Sequence, residues 1–183
     1  MMKFKWSLRI ASAIATCAIV LMTPQLARSQ SAQTPLPAVA RSCINSTFVA
    51  RYSLIGTTQV AGETFYLLET FEQGETAPEF ADTLVISVAN QRCRERYFDP
   101  SGEGGSLSSA IPQAAARQLT LQAYQREIAQ VGRSHVQQTI DDLAADAQGV
   151  VTWPDEEVWA IRQLGLRLPA NVRVAPQSGG VQR

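Results

Sequence analysis

Histidine is nearly missing from this chain: among 183 residues there is one, His135. Any imidazole-dependent proton transfer must therefore run through that residue. A zinc site is not expected, because zinc asks for three or four Cys, His or carboxylate ligands at short spacings. No Gly-Lys-Ser/Thr closes a phosphate loop and no G-x-S-x-G elbow presents a nucleophile. No cofactor and no metal are expected. Lysine is confined to Lys3 and Lys5, so the remaining positive charge is carried by arginine. Long apolar runs are lacking too: the uncharged stretch Ile10 to Met22 is 13 residues, too short to cross a bilayer comfortably.

What the N-terminus does contain is an export pattern. Lys3, Lys5 and Arg9 precede the run Ile10–Met22, and Ala27 and Ser29 follow it two apart. A basic start, a short apolar middle and small residues at the exit read as a secretory signal peptide over residues 1–29. An exported chain, periplasmic or extracellular, is the expectation, with no membrane span left after cleavage. Cys17 would leave with the signal, and Cys43 and Cys93 would remain. An even pair in an oxidising compartment predicts one disulfide. The competing reading is a thiolate at Cys93, activated by the neighbouring arginines.

Beyond residue 29 the charge balance is twelve arginines against sixteen acids, or −4. A mildly acidic chain is a poor candidate for non-specific nucleic-acid binding, and no nucleic-acid partner is expected. Residues 30–41, with two prolines, read as a flexible linker, and 169–183 as a flexible tail. Residues 42–168 are expected to form a single domain, long enough to bury a core.

The first half of that domain alternates with period two. Residues 47–55, 64–72, 83–89 and 93–99 read as four strands, with 56–63 turning the first into the second. The second half changes to the helical period. A first helix is expected to run toward Gly132, burying Ala114, Leu121, Tyr124, Ile128 and Val131, with Ser108 or Ser109 capping its start. Ser134 and Gln137 have capping-box spacing before a second helix that buries Val136, Ile140, Leu143 and Ala147. Pro154 and the acids Asp155, Glu156 and Glu157 suit the first turn of a third. Strands first and helices after predict an α+β fold: a four-stranded antiparallel meander with about three helices packing on one face.

Candidate sites follow from residue chemistry. Arg92, Arg94 and Arg96 share a face of an extended strand and are suited to clamp carboxylate or phosphate; otherwise they guard a sheet edge. Trp153 and Trp159, beside Leu164, Leu166 and Leu168, offer an apolar surface to a partner if they are not core. His135 begins a helix with no nucleophile pattern near it. Residues 98–109 form a Gly/Ser loop leading into a helix. Acids at Glu63, Glu69, Glu72, Glu75, Glu79 and Asp82 crowd the second strand, and Asn45 begins a glycosylation sequon. The leading expectation is an exported, non-enzymatic module that binds a protein partner or cell-envelope component. Two alternatives are a small hydrolase or transferase using His135 or the acidic cluster, and an inhibitor presenting the Gly/Ser loop to an exported protease.

Overall fold

A computed structural model of the chain describes residues 36–44, 49–72, 74, 81–99, 105–147 and 149–176. The predicted signal peptide and the Asn45 sequon lie outside them. Four strands run β1 (Arg51–Val60), β2 (Glu63–Phe71), β3 (Asp82–Ala89) and β4 (Arg92–Asp99). They form one sheet in the order β1-β2-β3-β4, each pair antiparallel. A short helix α1 (Ala38–Arg41) precedes the sheet; α2 (Gln113–Val131), α3 (Arg133–Ala145) and α4 (Asp155–Gln163) follow it. The α+β meander expected from the periodicity switch is the fold this chain adopts.

Both hairpins at one end of the sheet close with two-residue turns in the left-handed region. Ala61 (φ 51°) and Gly62 (φ 81°) join β1 to β2, and Asn90 (φ 49°) and Gln91 (φ 59°) join β3 to β4. Turns of this hand match the right-handed twist of the strands they connect. The first turn is later than expected, because β1 runs through Gly56 to Val60. Gly56 serves close packing instead: a Cβ there would lie 2.7 Å from Gln122 Oε1 of α2.

Alternation divides the sheet into two covered faces. Phe65, Leu67 and Val85 pack against Ile111, Ala115, Ala116, Leu119 and Ala123. Leu68, Leu84 and Ile86 pack on the opposite face with Leu36 and Ala40. Phe65, Leu68 and Ile86 are fully buried, each contributing on the order of 1.5–3 kcal/mol. Residues 36–41 therefore do not belong to a loose linker: Leu36 and Ala40 cover apolar sheet surface. Cys43 and Cys93 form a disulfide with Cα atoms 5.7 Å apart, fastening this segment to β4.

The helix α2 is buried on two sides, which corrects the stripe read from the sequence. Its alanine-rich side meets the sheet, while Tyr124, Leu121 and Ile128 pack with Val136, Ile140, Val158 and Ile161 of α3 and α4. Ala114 and Val131 are exposed. The expected caps are not used. Pro112 precedes α2 and Gly132 precedes α3, neither with a side-chain cap. Gln137 instead accepts from Arg167 N at 2.7 Å and donates to Arg167 O at 3.0 Å.

Two short strands went unforeseen. β5 (Val151–Trp153) and β6 (Val172–Val174) pair in parallel, so part of the expected tail belongs to the folded body. Asn171 Nδ2 fastens that connection, donating to Ala144 O at 2.7 Å and Gly149 O at 3.1 Å.

Candidate functional site

The site is built at the hairpin end of the sheet, on the face that carries α2. Ser87 is directly opposite Phe65 on β2 and Arg94 on β4, and Ala89 is opposite Arg92. Opposed residues in a ladder share a face, so Arg92 and Arg94 project on the same side as the Phe65 core. The register shifts between Val85–Tyr97 and Ile86–Glu95, leaving Arg96 as an extra residue in β4. Such a bulge re-aims side chains. Arg96 reaches Ser87 and Glu63, while its neighbour Tyr97 packs into the core of the same face.

These residues enclose a concavity of about 440 Å³ lined by Glu63, Ala89, Asn90, Arg92, Arg94 and Arg96. Two of its lining residues, Arg96 and Glu63, meet the Ser87 hydroxyl, and Ser87 is 1 % exposed. Arg96 Nε donates to Ser87 Oγ at 2.7 Å, and Arg96 Nη2 forms an ion pair with Glu63 Oε1. The Ser87 hydroxyl donates to Glu63. Burial alone would raise the Glu63 pKa; the hydrogen bonds from Ser87 and Arg96 and the charges of Arg96 and Arg94 outweigh it and hold the carboxylate below its ordinary range. Glu63 is thus an ionised structural partner rather than a proton donor at neutral pH. Arg92 and Arg94 are exposed and make no hydrogen bond or ion pair among the described residues, although the charge of Arg94 reaches Glu63. The arrangement holds one neutralised arginine and two uncommitted guanidiniums around a shared hollow, which is chemistry for gripping an anion.

For Trp153 and Leu166 of the second candidate surface, the core alternative holds. Trp153 is 3 % exposed and Leu166 is 7 % exposed, both inside the core between α2, α3 and α4. Trp159 is half-buried, with the Arg117 guanidinium 5.9 Å from its ring. Side chains this large are drawn inward because α4 packs along the far side of α2, which leaves no exposed tryptophan patch there.

His135 is exposed in the first turn of α3, and no serine or cysteine hydrogen bonds to it among the described residues. Its electrostatic neighbour is Glu127, whose pKa is raised by burial and by Glu69 against the lowering charge of His135. Glu63 is taken by Arg96 and Glu69 by Arg126 at 3.4 Å, while Glu75 and Glu79 lie outside the described residues. Among the described residues no group of three His, Cys, Asp or Glu could hold a metal ion. No helix there is long and apolar enough to cross a membrane.

The C-terminal part of the Gly/Ser loop is tied down. Gly105 N donates to the Tyr97 hydroxyl at 2.8 Å. Ser106 Oγ and Ser108 Oγ donate to the buried Glu156 at 2.8 and 2.9 Å. Ser108, one of the two serines expected to cap α2, instead satisfies a carboxylate of α4, while Ser109 Oγ donates to Ser106 O at 2.6 Å. Residues 100–104 lie outside the described residues.

Sequence reasoning placed the three arginines on one face, named Glu63 only within the acidic cluster, and missed Ser87 and Asn90. The alternation in β2 and β3 carries part of that signal, but pairing Ser87 with Arg94 needs the register of the β3–β4 turn. Comparison with known proteins finds no match: no family model, no curated protein and no solved structure corresponds to this chain.

Proposed function

We propose that this chain is an exported, non-enzymatic module that binds a protein partner or cell-envelope component through the arginine-bearing end of its sheet. The observation that supports it is the concavity where Arg92 and Arg94 stand without a hydrogen-bonded acid beside a fixed Arg96–Glu63 pair. Two unmatched guanidiniums on one hollow favour an acidic partner, and long-range attraction between them would speed encounter. The disulfide accords with an oxidising compartment.

A tagged chain expressed at its native level and recovered from gently solubilised envelopes is expected to bring down a stoichiometric partner. Arg94→Glu should weaken that capture and flatten its loss with salt, while the thermal midpoint barely moves, because Arg94 is exposed. Equal capture by wild type and Arg94→Glu would remove the arginine face from the reading.

A further inference from the structure

A row of edge arginines that served only to repel other sheets would need positive charge facing solvent and nothing more. The end of this sheet has a more definite construction. Arg96 is fixed on two sides, by the nearly buried Ser87 hydroxyl at 2.7 Å and by Glu63. Its bulge brings it onto the face that Arg92 and Arg94 already share. The three converge on a hollow of about 440 Å³, within the range of small-ligand sites, roughly 300–1,000 Å³. With Glu63 included, the lining carries three positive charges and one negative, a balance of +2.

Resting on the binding-module reading above, we infer that this hollow is a site for a phosphate monoester. A monoester carries a charge of about −1.5 to −2 near neutral pH and three acceptor oxygens, which matches two free guanidinium forks. A lone carboxylate would leave one of the two uncompensated. Glu63, kept ionised, and Asn90, both in the lining, provide hydrogen-bond partners for hydroxyl groups on the body of the ligand. The hydroxylated monoester can be a small soluble molecule or the headgroup of a lipid; both present the same chemistry to Arg92 and Arg94.

Calorimetric titration of the folded chain with glycerol phosphate at low salt tests this. Binding is expected at neutral pH and should weaken about tenfold near pH 5, where only roughly a tenth of a monoester with a second pKa near 6 remains doubly charged. Sulfate, which stays doubly charged throughout, should bind equally at both pH values. Arg94→Lys keeps the charge but loses the fork, so it should weaken glycerol phosphate binding severalfold with the thermal midpoint unchanged; Arg92→Gln is the second variant with the same expectation. Vesicles containing phosphatidic acid distinguish the source. Capture by them, relieved by glycerol phosphate, supports a lipid headgroup, and soluble binding without vesicle capture supports a small metabolite. No binding to either probe overturns the site, as does succinate binding as tightly as glycerol phosphate with no pH dependence. A chain that captures its partner through Arg94 yet ignores glycerol phosphate overturns the phosphate assignment alone. One that binds glycerol phosphate while partner capture survives Arg94→Glu overturns the module reading alone.

Discussion

Glu156 and Glu157 are neighbours in the first turn of α4 and both are buried, yet their situations differ. Glu156 accepts from Ser106 Oγ, Ser108 N and Ser108 Oγ. Glu157 Oε2 has no hydrogen-bond partner among the described residues, and burial, with the charge of Glu156 adding to it, raises the Glu157 pKa from 4.5 to about 8. A carboxyl with a raised folded pKa holds a proton that the unfolded chain has already released. Between about 4.5 and about 8 the folded state therefore binds more protons, and stability falls as pH rises through that window. Glu157→Gln should flatten this slope and stabilise the chain above about pH 8, by an amount on the order of a few kcal/mol, in urea unfolding measured across the range. An unchanged slope would mean that Glu157 is ionised in the fold. None of this is legible in "PDEEVW", where three acids at a helix start read as solvated groups complementing the helix dipole. Burial is a property of what packs over them, and the serines that do so are about 50 residues away in sequence. Trp153 stays open between core and surface in the sequence for the same reason, since composition records an apolar side chain and not whether anything covers it.

At the scale of the elements, alternation was informative because it is local. Phe65 and Leu67 share a face with period two whatever the rest of the chain does, and the four strands follow. The α2 stripe misled because a helix packed on two sides has no single apolar face. Its small alanines, weak as a hydrophobic signal, are what let it lie close to the sheet. The two edges of the sheet are also treated differently. At β1, the Gln122 side chain donates to Thr57 O and accepts from Thr57 N, both at 2.9 Å, and Arg126 donates to Leu54 O at 3.2 Å. At β4, the bulge and the exposed arginines discourage further pairing. The β1 arrangement depends on Gly56, where a Cβ would meet Gln122 Oε1 at 2.7 Å and Gln122 Cβ at 3.1 Å. Gly56→Ala should destabilise the chain by roughly 1–3 kcal/mol. That loss should shrink in a Gln122→Ala background, and a double-mutant cycle by chemical denaturation measures the coupling. Additive losses would show that the two do not meet.

For the molecule as a whole, residues 36–44 are held on the sheet by buried Leu36 and Ala40 and by the Cys43–Cys93 bond, 50 residues apart in sequence. Closing a loop of that size restricts the unfolded chain and is worth about 2–4 kcal/mol. Cys43→Ser and Cys93→Ser should each cost about that much, and the double variant no more than either alone. A much larger loss from Cys93→Ser than from Cys43→Ser, read from thermal unfolding without reductant, would give Cys93 a role beyond the bond. The pairing was legible from the cysteine count once the signal pattern was recognised. The fold class was legible because the period switches once, from two to 3.6. The concavity was only half legible: its arginines follow from strand periodicity, while Glu63 and Ser87 join them through register.

That single switch of period also makes the chain divisible. Every strand of the main sheet ends by Asp99 and the three long helices begin after Gly105, with Cys43 and Cys93 both on the first side of that boundary. A cut between 99 and 105 would yield a disulfide-closed β piece and a helical piece, which meet where α2 and residues 107–111 before it lie along the sheet and where Gly105 meets Tyr97. Each piece would expose an apolar surface shaped for the other, so the two would work as complementing fragments: the arginine hollow would stay intact on one, and recovery of native stability would report their reunion.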